Sequence, residues 1–169
     1  MKYDLVKPND PALRTSCEPF DFATGNAQEL AEDLITTMEH YNGLGLAANQ
    51  VGIGLRVFVL RGDPYAVFNP KIVDTSSQEV MLDEGCLTYP GLYVKVKRPS
   101  MIRVRFTDIN GQTKTEKYTG MTARIFQHEI EHLDGGLFYN NASLYHRERG
   151  FNTQKKYLRH PERYTVKQP

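Results

Sequence analysis

Gln127-His128-Glu129-Ile130-Glu131-His132-Leu133-Asp134-Gly135 is the stretch from which the rest of the chain is read. Residues four apart on an α-helix lie one above the other on a single face, about 5–6 Å apart at Cβ, so His128 and His132 can reach one metal ion. Glu129, next to the first histidine, can then handle protons beside that ion. A helix over roughly residues 120–134 is expected: Thr119-Gly120 opens it, and Asp134-Gly135-Gly136 ends it. Met121, Ile125, His128 and His132 follow at spacings of four, three and four, so an apolar stripe runs into the histidine face. An amphipathic helix that merely carries two histidines shows the same short pattern. A metal centre therefore requires a third ligand, an oxyanion site and a pocket from elsewhere in the chain.

Upstream, Asn26 with Glu29 resembles a capping box, and Ala27, Leu30, Ala31, Leu34, Ile35, Met38 and Tyr41 keep helical spacing until Asn42-Gly43. This N-terminal helix reads as scaffold. It is followed by Gly43-Leu44-Gly45-Leu46-Ala47-Ala48-Asn49-Gln50-Val51-Gly52, whose small side chains let a backbone or a ligand approach closely. An ordinary glycine turn accounts for the glycines but leaves Gln50 without a role. From Leu55 the pattern is β: Leu55–Leu60, Tyr65–Val73 interrupted by Asn69-Pro70, Gln78–Leu82, Leu92–Arg98, Met101–Phe106, and, across the hairpin signal Asn110-Gly111, Gln112–Tyr118. The expected fold is α+β, with antiparallel strands packed around a central metal-binding helix and one further N-terminal helix. Residues 1–20, punctuated by Pro8, Pro11 and Pro19, read as an extended arm. Weak periodicity around Phe151 and Tyr157-Leu158 allows a short helix before His160-Pro161.

The length of 169 residues suits a single domain over 1–169, and 40% hydrophobic with 24% charged residues is ordinary for a globular chain. No apolar run reaches the length of a membrane span and the N-terminus lacks a signal-peptide core, so the cytoplasm, or whatever compartment the mature chain reaches, is the expected location. Two cysteines, Cys17 and Cys86, do not make a disulfide framework, and Cys17 reads as buried and inert. Charge is uneven. Residues 143–169 carry seven Lys/Arg against two Glu, net +5, whereas the other 142 residues carry 14 positive and 18 negative charges, net −4. Such a basic end either meets an anionic partner or is a solvated terminus.

A catalytic metal centre usually has three protein ligands. After His132 the candidates are His146, Glu148, His160 and Glu162, all in the weakly patterned basic end. Cys86, in Glu84-Gly85-Cys86-Leu87 at the end of an expected strand, fits better, with Gly85 leaving it room. Taken by itself Cys86 reads as a buried apolar cysteine. A Cys-His-His set suits ferrous iron, zinc, nickel or cobalt and is poor for magnesium or calcium. A thiolate lowers the net charge on the ion and so acidifies water less, which makes a neighbouring base such as Glu129 more important.

Gly43-Leu44-Gly45-Leu46-Ala47-Ala48-Asn49-Gln50, Glu84-Gly85-Cys86-Leu87-Thr88 and Gln127-His128-Glu129-Ile130-Glu131-His132 together resemble, in order and separation, the three signature motifs of peptide deformylases. Gly120, Leu133, Gly135 and Leu137-Phe138 resemble the flanking pattern, and the likeness spans roughly residues 26–140. It departs at Thr88, where most members have serine, and at Glu131, where most have aspartate; neither position is a metal ligand in the family.

The resemblance implies removal of the N-formyl group from the formyl-Met of nascent polypeptides, with release of formate. It implies Cys86, His128 and His132 as ligands of one divalent ion, most often Fe(II), with Zn, Ni or Co as possible occupants. It implies Glu129 as the proton carrier, and the Gln50 side-chain amide and the Leu87 backbone N–H as oxyanion donors, each such donor being worth about 2.7–4 kcal/mol. Gly43, Leu44, Gly45 and Gly85 are expected to border the substrate, with Leu44, Met121 and Ile125 forming an apolar pocket for methionine. The basic segment suggests contact with ribosomal RNA; neither DNA nor a membrane is expected as a partner. Two rivals are an endopeptidase of the His-Glu-x-x-His type and a non-catalytic binder of formylated termini. A bacterial, organellar or viral source is left open, and with it a cytoplasmic, organellar or host-cytosol location.

Overall fold

A computed structural model describes residues 1–163. Helix α1 spans Ala27–His40, and the Asn26 side chain accepts a hydrogen bond from the Glu29 N–H at 3.1 Å. Its Ala31, Leu34 and Met38 are buried. After it come β1 (Gly45–Ala47), β2 (Val57–Leu60), β3 (Ala66–Thr75), β4 (Glu79–Gly85), β5 (Tyr93–Pro99), β6 (Met101–Thr107), β7 (Thr113–Thr119), α2 (Gly120–Leu133) and α3 (Leu144–Arg159). Five strands form one antiparallel sheet in the order β1-β2-β3-β6-β7, and β4 pairs with β5 in a second, two-stranded sheet. The α+β architecture and the position of the histidine helix agree with the sequence reading.

Helix α2 lies between the two sheets because its faces differ. Ala123, Phe126, Ile130 and Leu133 join Phe58, Val104 and Phe106 in the core over the larger sheet, where Phe126 meets Phe58 edge-on at 5.1 Å. Burying a side chain such as Phe126 stabilises the fold by about 1.5–3 kcal/mol. On another face, Arg124 donates to the carbonyls of Val80 and Val96 on β4 and β5, at 2.5 and 2.9 Å. The carbonyls at the C-terminus of α2 have no partners within the helix and need external donors. The Cys17 N–H supplies Leu133 at 2.8 Å, and the Asn49 amide supplies His132 at 2.6 Å. Residues that read as an extended arm thus fasten the end of the site helix, and Cys17 is buried.

Three elements differ from their sequence reading. Asn69-Pro70 does not interrupt its strand: β3 runs through it with a register shift between Phe68 and Lys71. Asn69 takes φ 50°, its backbone N–H donates to the Arg56 carbonyl at 2.8 Å, and its side chain exchanges hydrogen bonds with the Phe20 backbone at 2.7 and 2.9 Å, which tie the N-terminal segment to the shift. The small-residue segment contains a strand, β1, at the edge of the large sheet. The C-terminal helix is a full 16 residues, longer than the short helix expected there. Ser143 caps it by accepting from the His146 N–H at 3.2 Å, and Lys156 and Arg159 oppose the dipole in its last turn. Its periodicity was faint because only Gly150 is buried. Of the seven cations in the basic segment, Lys167 lies outside the described residues.

Candidate active site

Strand β4 ends in Glu84-Gly85, and the following Cys86 points toward α2. The candidate ligand atoms of Cys86, His128 and His132 all lie within 4.8 Å of one another. Cys86 Sγ is 3.2 Å from His132 Nε2. His128 Nδ1 is 2.9 Å from Glu84 Oε1, which leaves Nε2 as the nitrogen available to an ion. Burial by itself would depress the His128 imidazole, but hydrogen bonds with Cys86 and Glu84 outweigh it and lift the group to about 10. Surroundings that favour a proton there also favour a divalent cation in its place. Burial, and then the charge of His128, hold His132 well below its ordinary value, in the neutral form that binds metal.

Glu129 is 4% exposed, and burial pushes its carboxyl up to about 7 against the opposing charge of His128. Its Oε2 has no hydrogen-bond partner among the described residues. Gly45 is required beside it, since a Cβ there would sit 2.5 Å from Glu129 Oε1. Gln50 is fixed at both ends: its Oε1 accepts from the Ala47 N–H at 2.9 Å, and its Nε2 donates to Thr88 Oγ1 at 3.1 Å and to Cys86 Sγ at 3.3 Å. The hydroxyl that Thr88 retains is therefore a partner of the Gln50 amide. The thiol and two imidazoles are a donor set that fits one divalent transition metal, with the orphaned carboxylate oxygen and the Gln50 amide beside it.

Of the other residues expected at the site, Ile125 is partly buried and contacts Gly45, where a Cβ would lie 3.0 Å from Ile125 Cγ2. Leu44 is partly buried, and Met121, at the open end of the same helix face, is 55% exposed. Gly43 is buried, and a Cβ there would come within 2.7 Å of Leu87 Cδ1, so its lack of a side chain seats Leu87. The room at Gly85 goes to the Tyr93 ring, 2.5 Å from a Cβ placed there, rather than to Cys86.

Sequence reasoning gave no role to the groups behind the histidines. Glu84 Oε2 receives the Arg98 Nε and the Arg124 Nη1, each at 2.7 Å, and Arg98 Nη2 continues to Glu131 Oε2 at 2.7 Å. Glu131 also accepts from the Asn141 amide. The extra methylene of glutamate over aspartate fits because residue 136 is glycine; a Cβ there would sit 2.6 Å from Glu131 Cγ. Two signals were available: Glu84 lies two residues before Cys86 at the end of a strand, and Arg124 precedes His128 by one helical turn.

A half-buried thiol and two buried imidazoles converging on one point, with a buried carboxylate and a fixed amide beside them, have the make-up of a catalytic metal centre, the site of a metal-dependent hydrolase, rather than of a closed structural one. The family profile described as polypeptide deformylase matches residues 2–148. The peptide deformylase of Dictyoglomus thermophilum is 40% identical over 141 residues, 82% of this chain and 92% of that one. Among solved structures, the Plasmodium falciparum peptide deformylase complex with inhibitor superposes with a TM-score of 0.84 at 33% identity, covering 92% of this chain and 99% of that one. The Thermotoga maritima peptide deformylase gives 0.81 at 37% identity, covering 85% and 99%. The chain belongs to the polypeptide deformylase family. Neither the endopeptidase nor the non-catalytic binder is supported.

Proposed function

We propose that this chain removes the N-formyl group from the N-terminal formyl-Met of newly synthesised polypeptides, by hydrolysis at the Cys86–His128–His132 centre. The observation that carries the residue assignment is the convergence of those three ligand atoms within 4.8 Å beside Glu129, buried and with one oxygen unpartnered. The three side chains would hold one divalent ion, Fe(II) by family precedent, with Zn, Ni or Co as alternatives. When bound, such an ion supplies Lewis acidity, polarising an oxygen and lowering the pKa of water.

Glu129 takes the proton of the attacking water and delivers it to the leaving amine, a role for which a carboxyl near pH 7 is suited. The Gln50 amide and the Leu87 backbone N–H stabilise the oxyanion that forms on the formyl carbon. The products are formate and a free amino terminus. β1 pairs with β2 along one edge only, so the substrate backbone can lie along the other, bordered by Gly43, Gly45 and Gly85. Leu44, Ile125 and the exposed Met121 form the wall for the methionine side chain.

The reading takes residues 1–169 as one catalytic domain with a basic segment, 143–169, that contacts ribosomal RNA. It places the protein in the cytoplasm, or in an organelle or host cytosol according to source. No described helix is long and apolar enough to cross a membrane. The exposed cations of α3 support the RNA contact; ribosome co-sedimentation that is insensitive to salt, or unchanged by deleting 143–169, would remove it.

Formate release from formyl-Met-Ala-Ser by anaerobically purified protein, with metal analysis of the same sample, tests the main reading. Turnover with one equivalent of iron is the expected result, together with a loss of about 10²–10⁴-fold in Glu129→Ala. Cleavage of unformylated peptides without formate release would overturn it.

A further inference from the structure

Helix α3 has a second face that meets the active-site segment. Phe151, Gln154 and Tyr157 follow one another at intervals of three and, with Gly150, form the inward stripe of the helix. What they rest on is the chain just after Cys86. The Cys86 carbonyl accepts from the Tyr89 N–H at 2.9 Å, and the Tyr89 carbonyl accepts from the Leu92 N–H at 3.1 Å. Residues 86–92 are thus two successive turns, the second being Tyr89-Pro90-Gly91-Leu92 with Gly91 at φ 75°.

Tyr157 lies directly over that second turn. A Cβ at Gly91 would sit 2.3 Å from Tyr157 Cδ1 and 2.9 Å from Tyr157 Cβ. Gln154 Nε2 donates to the Pro90 carbonyl at 3.2 Å. The Phe151 ring meets Tyr139 at 5.2 Å, and Tyr139 meets Tyr89 at 5.4 Å. At Gly150 the helix approaches β5 so closely that a Cβ would fall 2.7 Å from the Tyr93 carbonyl oxygen. The gripped segment begins with Cys86, Leu87 and Thr88. These are the thiol, the backbone donor and the hydroxyl that holds the Gln50 amide.

We propose that Gln154 and Tyr157 are positioning residues: by clasping the Pro90-Gly91 turn, α3 fixes the placement of Cys86 and Thr88 and thereby tunes the metal centre. This rests on the assignment of Cys86 as a ligand. Neither residue touches substrate. They act through two hydrogen-bonded turns, and packing on a glycine leaves the turn little freedom to shift. α3 is then more than an appendage bearing exposed cations, since its inner face belongs to the catalytic site.

The test uses the full chain loaded with Co(II), comparing wild type with Tyr157→Ala, Gln154→Ala and, on the outer face of α3, Asn152→Ala. The Co(II) visible spectrum and the rate of Co(II) transfer to a chelator report on the centre without reference to turnover. Tyr157→Ala is expected to shift the spectrum, speed metal transfer about tenfold and lower kcat/KM by a similar factor, mainly in kcat. Gln154→Ala should move the same readouts by less, while Asn152→Ala matches wild type. Tyr157→Ala and Gln154→Ala proteins with the wild-type spectrum and transfer rate, whatever their melting temperatures, would overturn the proposal. Should Tyr157→Ala fail to fold, Gln154→Ala alone decides by the same readouts. A spectral shift in these variants with no formate released by wild type would uphold the clasp while sinking the deformylation reading.

Discussion

Helices α2 and α3 are close in length, 14 and 16 residues, and both are rich in charged and polar side chains. They differ in what surrounds those side chains. α2 buries nine residues, among them Arg124, Gln127, His128, Glu129 and His132, whereas α3 buries only Gly150. A polar group left in water keeps its hydrogen bonds, but one removed from water must find a partner or cost about 1–3 kcal/mol. On α2 this requirement links Glu84, Arg98 and Arg124 to His128, and shifted proton affinities follow. On α3 only the stripe facing β5 and the Pro90-Gly91 turn is constrained, and the outer face is left to the solvent. The reactive groups sit on the helix whose polar side chains are buried, and the other helix leaves most of its polar side chains in water.

The largest effect expected of this contrast is at the centre itself. Cys86→Ala should lose its metal during purification, and formate release should fall to background. Stoichiometric metal in that variant would mean that the third ligand comes from elsewhere. Next is Glu84→Gln, which leaves two buried guanidinium groups without their carboxylate and should destabilise the fold by about 3–5 kcal/mol in urea unfolding.

The same residue gives a pH signature. Burial would raise the Glu84 carboxyl, but the hydrogen bonds and charge of Arg98 more than reverse this and hold it well below the carboxylate range. A folded-state pKa below the unfolded one stabilises the protein above the unfolded value of about 4.3. That contribution is lost as the pH falls below it toward the folded pKa. Wild type should therefore lose stability more steeply than Glu84→Gln on acidification, and equal slopes would show that the ion pair is not linked to folding.

A smaller effect concerns the glutamate that stands where aspartate is usual. Gly136→Ala should cost about 1–3 kcal/mol by crowding Glu131 Cγ, and less in a Glu131→Asp background, so a double-mutant cycle should show coupling. Additive costs would mean that the glycine serves the backbone alone. The smallest change expected is on α3: Ser143→Ala removes its cap and should cost about 1 kcal/mol in thermal melting, with metal content unchanged.

Much of the site was legible in the sequence because it is written in local periods. The spacing of His128 and His132, the position of Glu129 and the cap at Asn26 follow from helix geometry alone, and the ordered motifs supplied Gln50 and Cys86. The groups that pass through space were not legible. Arg98 reads as the end of an alternating strand, and only the pairing of β4 with β5, which sets it opposite Val80 on the face that Glu84 shares, lets its side chain reach Glu84. Gly85 reads as room for its neighbour, yet the space belongs to Tyr93, eight residues on. The full length of α3 is faint in the sequence because its inward stripe contains Gly150 and Gln154, neither of which registers as apolar.

The sequence by itself determined which donor atoms are available, their order along the chain, and the helix that presents two of them on one face, because those are consequences of a 3.6-residue turn. It could not determine that a thiol 46 residues away from His132 comes to rest 3.2 Å from its Nε2. That proximity is decided by where β4 docks against α2, which depends on the buried ion pairs and on core packing summed over both sheets. It is also where the proton affinities of His128 and Glu129 are set, since burial and neighbouring charge exist only once the chain has folded.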